Sequence, residues 1–126
     1  MGGAIFEQHT HPTVPWFDSE AAWRKADPQL RCTVHVIFPL GIRLVFNNIF
    51  EHTAHHLDVT IPLYRLHEAQ SEINRSQAAL TRHWTPFLFL QSLRICKLYD
   101  FQKHRWMDFS GIPTSDVPIY VPSATE

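Results

Sequence analysis

Glu51-His52-Thr53-Ala54-His55-His56 sets three imidazoles in an H-x-x-H-H pattern. The apolar spacing from Leu40 onward predicts a helix over 40–58, and residues three and four apart on a helix share a face. With His52 as zero, His55 falls about 300° and His56 about 40° round the axis, at about 100° per residue. The three therefore fan out from one side. Asn48, four residues earlier, lies on the same side of that predicted helix. Imidazole is the commonest metal-ligating side chain and suits iron, zinc, copper and nickel. The plain alternative is a polar face carrying surface histidines. Three so close together on one face argue for a metal instead.

A second group, His9 and His11, follows a short apolar stretch, Ala4 to Gln8. If that stretch continues as a helix the two point apart; if it is extended they share a face. In either case at least one is available to join the central cluster. No thiolate lies near any of these histidines in sequence, which disfavours a structural zinc site. The zinc-protease pattern fails too, because Glu51 precedes the first histidine where H-E-x-x-H needs it after. A histidine-rich, sulfur-free set suits non-haem iron or copper. Asp58, two residues past His56, is placed to orient a ligand imidazole. His67 is a candidate for supporting a ligand from the next helix. His35, His83 and His104 stand alone and read as surface or core histidines. The chain has no G-x-S-x-G, no phosphate-binding glycine loop and no defensible Ser-His-Asp order.

The elements that must position these groups follow from punctuation and period. Pro12, Pro15 and the run Trp16-Phe17-Asp18 form an extended turn. Asp18 or Ser19 caps a short helix with Glu20 in its first turn, Trp23 as its apolar anchor and Asp27-Pro28 as its stop. Arg31 to Phe38 is β-branched and reads as a short strand or an extended connector. Pro62 opens a second long helix running to about Arg82, with Leu63, Leu66, Ala69, Ile73 and Leu80 on its apolar face. A third runs from Pro86 to about Lys97. Leu98–Phe101 and Arg105–Phe109 flank a polar Gln102-Lys103-His104 and read as a hairpin. The fold class expected is mainly α: three short-to-medium helices plus a small C-terminal hairpin.

A chain of 126 residues with 44% apolar and 18% charged residues makes one domain with a modest core. Nine histidines are unusual, and nine prolines against four glycines imply stiff connections. A formal net charge of −1 without charge runs excludes a nucleic-acid footprint. Cys32 and Cys96 are too far apart for a C-x-x-C pair and are expected to be free thiols in a reducing compartment. Met1-Gly2-Gly3 does not open a signal peptide, and no apolar window is long enough to span a membrane.

Asn48-Ile49-Phe50-Glu51-His52-Thr53-Ala54-His55-His56-Leu57-Asp58, followed by Ile61-Pro62-Leu63-Tyr64-Arg65-Leu66, resembles the third histidine box of the membrane fatty acid desaturases. Gln8-His9-Thr10-His11-Pro12 with Pro15-Trp16-Phe17-Asp18 resembles the segment after the last membrane helix of that family. Cys96–Phe101 and Trp106–Phe109 resemble its C-terminal part. The resemblance runs from about Ile5 to Pro113, and the motifs occur in the family's order.

The resemblance implies a centre of two non-haem irons, held by three histidine boxes and one further histidine. It implies oxygen-dependent introduction of a double bond into a fatty acyl lipid, with electrons from ferredoxin or cytochrome b5. His52, His55 and His56 correspond to third-box ligands, and His11, or less surely His9, to the extra one. Many relatives carry histidine where this chain has Asn47. The first two boxes and every membrane span are absent here. The expectation is therefore residues 1–113 as the C-terminal portion of a desaturase, resembling its cytosolic cap without the transmembrane helices, with 114–126 as a flexible tail. It would be membrane-associated at the cytosolic face and incomplete alone. Two other readings stand beside it. One is a non-catalytic metal-binding remnant or interaction module. The other is a mononuclear metal hydrolase, for which only Glu51 is near enough to serve as base, and it points about 100° away from His52.

Overall fold

A computed structural model describes residues 2–39, 41–76 and 79–115. Helix α1 (Gly2–His9) opens the chain and ends where Thr10 donates its N–H to Phe6 O before Pro12. Ser19 caps α2 (Glu20–Lys25) by accepting from Ala22 N–H at 3.3 Å. Its expected anchor, Trp23, is instead largely exposed. Asp27 adopts a left-handed φ of 50°, and Pro28 then starts a one-turn helix, α3 (Pro28–Arg31). The β-branched run becomes strand β1 (Val34–Ile37).

The helix expected over 40–58 is two short helices, α4 (Ile42–Val45) and α5 (His52–Leu57). Asn47 and Asn48 between them both have positive φ, 50° and 59°. Asparagine tolerates this left-handed conformation because its short side chain bonds locally, and two in succession end a helix. Asn48 is consequently off the ligand helix, and its Nδ2 donates to Leu63 O at 3.1 Å.

The helix expected from Pro62 to Arg82 is shorter as well. Pro62 leads into a 3-10 turn (Leu63–Arg65) and α6 (Leu66–Arg75). Leu80, assigned above to its apolar face, instead opens strand β2 (Leu80–His83). Thr85 caps α7 (Pro86–Ile95), accepting from Leu88 N–H, with Pro86 in the first turn where a missing N–H costs nothing. The expected hairpin is present as β3 (Leu98–Asp100) and β4 (Arg105–Met107). Asp100 shapes its turn by accepting from the N–H groups of Gln102 and Lys103.

The fold is thus a small mixture of helix and strand, adding a strand pair to the expected helices and hairpin. β1 and β2 pair in parallel, with Val34 opposite Leu80 and Ile37 opposite His83. Parallel strands need a long crossover, and here the crossover is α4, α5 and α6. The histidine helix therefore rides on the connection of a β-α-β arrangement. α5 packs against β1, α3 and α6, and α1 packs against β1.

Burial is concentrated in two small clusters. Val14, Val34 and Val36 gather Cys32, Phe38 and Trp84 beneath β1. Cys96 and Trp106 gather Ile95 and Tyr99 beneath the hairpin. Both cysteines are free, and burial pushes their thiols up, Cys32 to about 11 and Cys96 to about 12, so neither is a ready nucleophile. Large apolar side chains on α4 (Leu44, Val45) and α7 (Phe87, Leu90) remain exposed. Among the described residues no helix is long and apolar enough to cross a membrane. Thr114 and Ser115, at the start of the expected tail, are tied in: Thr114 N–H donates to Trp106 O and Ser115 Oγ accepts from Trp106 N–H. Residues 116–126 lie outside the described residues.

Candidate metal centre

His9 closes α1, and its placement is fixed from three sides. Trp16 Nε1 donates to His9 O at 3.2 Å, and His9 Nδ1 lies 3.4 Å from Cys32 O. Two residues on, Trp106 Nε1 donates to His11 O, also at 3.2 Å. Two indoles thus hold the carbonyls of the segment leaving α1. Nδ1 of His9 turned to a backbone carbonyl leaves Nε2 as the free ligand atom, the orientation metal-binding imidazoles adopt.

His9 Nε2 lies 2.7 Å from His52 Nε2, and His56 Nε2 lies 3.0 Å from the same atom. His52 and His56 are four apart on α5, so one helical turn stacks them. The three ligand atoms all fall within 4.8 Å of one another, and among the described residues this is the only such group of three histidine, cysteine or acidic side chains. His55 lies further out, its ring centroid 6.5 Å from that of His52 and 6.1 Å from that of His56. His11 turns away: its Nδ1 meets the Thr13 hydroxyl at 2.7 Å and accepts from Thr13 N–H. Of the five sequence candidates, the structure brings together His9, His52 and His56.

The arrangement leaves a hydrogen-bonding problem. His52 Nε2 carries either a proton or a lone pair. It can donate to His9 or accept from His56, and one aligned hydrogen bond cannot serve both contacts. A metal ion removes the conflict, since all three lone pairs then point at one centre. Two nitrogens bound about 2.1 Å from a metal at right angles lie about 3 Å apart, close to the spacings here. An all-imidazole donor set of this kind fits iron as well as zinc or copper.

The environment keeps His52 and His56 neutral, the form that ligates. Burial, reinforced by His56, His9 and His55, pushes His52 down to about 3. Burial and the neighbouring His9 and His55 also lower His56. Burial beside Arg82 takes His11 to about 4.

Beneath the cluster lies a second polar group that sequence reasoning missed. Glu51, at the start of α5, is only 3% exposed. Its Oε1 meets His67 Nδ1 at 2.8 Å, and His35 Nε2 lies 2.7 Å from its Oε2. Burial works to raise the Glu51 carboxyl, but His35 and His67 together outweigh it and hold it below the ordinary range. The carboxylate that would have served a hydrolase as base is therefore clasped between strand β1 and helix α6. His67, foreseen as a support for a ligand, meets Glu51 rather than an imidazole of the cluster. Asp58 does not orient an imidazole: its Oδ1 accepts from Thr60 N–H and Oγ1 in a local turn. The signal for the missed group was available. His67, Gln70 and Asn74 recur at i, i+3 and i+7, a polar stripe facing inward on α6.

The depressed histidines couple folding to pH. In the unfolded chain they titrate near 6.5, so on acidification the unfolded state takes up protons first. Stability held in full above that pH is lost as pH falls from about 6.5 towards 3–4, by up to about 1.4 kcal/mol per pH unit per histidine. The urea midpoint of the metal-free chain is expected to be lower at pH 5 than at pH 7.5. Glu7, whose carboxyl burial lifts against the pull of Arg82, opposes this trend. The Glu7→Gln variant should therefore show a steeper fall, and a midpoint independent of pH in both proteins would refute the coupling.

The chain is similar to a chloroplastic omega-6 fatty acid desaturase of Glycine max, 33% identical over 97 residues, covering 75% of this chain and 23% of the relative. It is similar to the corresponding enzyme of Spinacia oleracea, 29% identical over 118 residues, covering 90% of this chain and 26% of the relative. It is also similar to an sn-1 oleoyl-lipid 12-desaturase of Synechocystis sp., 31% identical over 113 residues, covering 82% of this chain and 30% of the relative. No family model and no solved structure matches. The fold and site thus define a small mixed helix-and-strand protein built around an imidazole cluster. The chain is a relative of the fatty acid desaturases, related over most of its own length and spanning under a third of theirs.

Proposed function

We propose that this chain is the third-box portion of a fatty acid desaturase and binds iron through His9, His52 and His56, with His55 and His11 as neighbouring donors. The observation that carries the reading is the convergence of three Nε2 atoms on one point, more than hydrogen bonding can satisfy. In the whole enzyme two non-haem irons would supply activation of dioxygen and removal of hydrogen from a fatty acyl lipid. Ferredoxin or cytochrome b5 would be the electron donor, and the protein would sit at the cytosolic face of a membrane. The chain's own residues bind and orient. α5 presents the imidazoles, α1 brings His9 across, and burial keeps His52 and His56 unprotonated. His35 and His67 hold Glu51 away from the cluster.

Three convergent imidazoles make one metal's worth of donors. This favours the further reading that the chain alone binds a metal without completing the reaction, as a metal-binding module would. Loaded anaerobically with Fe²⁺, then given reductant, oxygen and an acyl lipid, it is expected to hold one iron and form no new double bond. Zn²⁺ and Cu²⁺ should displace that iron, following the usual affinity order. New unsaturated product with two irons per chain would show the chain to be a complete enzyme. No metal bound at all would sink the metal reading itself.

A further inference from the structure

The ligand helix does not cap itself. α5 has six residues, and Glu51 at its N-cap makes no side-chain bond to the helix. So short a helix is unstable by itself, and its first N–H groups need outside acceptors. Ala54 N–H finds one on another element: Gln70 Oε1 of α6, at 2.9 Å. Gln70 is fully buried, and its own orientation is fixed by Nε2 donating to Asn74 Oδ1 at 3.0 Å. Asn74 Nδ2 in turn meets His35 Nδ1 at 3.1 Å, and His35 reaches Glu51. One stripe of α6 thus grips α5 at two points, on the carboxylate before His52 and on the backbone between His52 and His56.

We infer that Gln70 is a positioning residue for the histidine cluster: by capping α5 from α6 it sets the turn that brings His52 and His56 onto a common centre with His9. The inference rests on the metal-binding reading above. Gln70 touches no ligand imidazole and acts only through the backbone of Ala54. Side chains that orient ligands from behind typically change metal affinity 10- to 100-fold when removed.

The test uses the full chain and Co²⁺, whose visible absorption reports ligand geometry. Measurements are made where circular dichroism shows each variant folded. Gln70→Met keeps the volume and loses the acceptor. It is expected to bind Co²⁺ about 10- to 100-fold more weakly, with a shifted visible band. Gln70→Glu keeps an acceptor for Ala54 N–H but gives up the bond to Asn74, so it should recover most of the affinity and of the band. If Gln70→Met does not fold, Asn74→Ala, which frees Gln70 to swing, should show a smaller loss of the same kind. Wild-type affinity and spectrum in Gln70→Met, or in Asn74→Ala where that replaces it, would overturn the inference and leave the metal reading intact. A Gln70→Glu variant as weak as Gln70→Met would overturn it too. A wild-type chain that takes no Co²⁺ would overturn both.

Discussion

His52→Ala is expected to leave the chain without measurable bound metal, while His55→Ala should keep most of it. His52 is the hub: its Nε2 meets both His9 and His56, and its removal leaves two imidazoles with nothing between them. Losing one of three ligands from an open site weakens binding by orders of magnitude, whereas a histidine outside the triangle contributes at most a loose fourth contact. His9→Ala and His56→Ala should fall near His52→Ala, and His11→Ala near His55→Ala. Isothermal titration with Zn²⁺ measures the series. The motif alone treats His52, His55 and His56 as equals and favours His11 over His9. Equal losses at His52 and His55, or a larger loss at His11 than at His9, would mean that the motif describes the site and the triangle does not.

Trp106→Ala is expected to cost about 3–5 kcal/mol, the usual range for emptying a buried aromatic site, and to lower the melting temperature by roughly 10–20 °C. Trp106 is 2% exposed and is the largest fully buried side chain. Its ring packs edge-on against Trp16, with centroids 5.3 Å apart, and against Tyr99 at 5.0 Å. Its indole N–H holds His11 O. The hairpin is thereby fastened to the segment that delivers His9. Trp106→Phe keeps most of the packing and loses the N–H, so it should cost about 1 kcal/mol. The two variants are compared by urea unfolding. A Trp106→Ala chain as stable as Trp106→Phe would mean that the hairpin is not fastened through this ring.

Much of this was legible in the residues, and what was not has physical reasons. Caps and prolines located α2 and α7, and extended segments about a polar turn located the hairpin, because those signals act within a few residues. The spacing of His52 and His56 placed them together, because one helical turn suffices. The 40–58 helix failed because apolar spacing continues through Asn47-Asn48 while the backbone there turns left-handed. β2 failed because Leu80 fits the preceding helical period, and only pairing with β1 makes that stretch a strand. His9 could not be chosen over His11 from sequence, since the choice depends on Trp16, Cys32 and Trp106 holding the chain from far away. Glu51 read only as a candidate base, because its partners, His35 and His67, come from a strand and a helix distant in sequence.

The parallel pairing of β1 with β2 also sets a timetable. β1 leaves the ribosome before its partner, the stretch ending at His83 on the far side of the crossover. Until that stretch leaves the ribosome, β1 has no strand partner, and the long loop that carries α5 has no closed ends. His9, on α1 against β1, can meet His52 only once the loop has come back across. The imidazole triangle is therefore among the last features to assemble, and contacts so distant in sequence form slowly. A metal arriving earlier would find only His52 and His56, four apart on an unanchored turn. An ion held by all three imidazoles would have to be acquired after the crossover has closed.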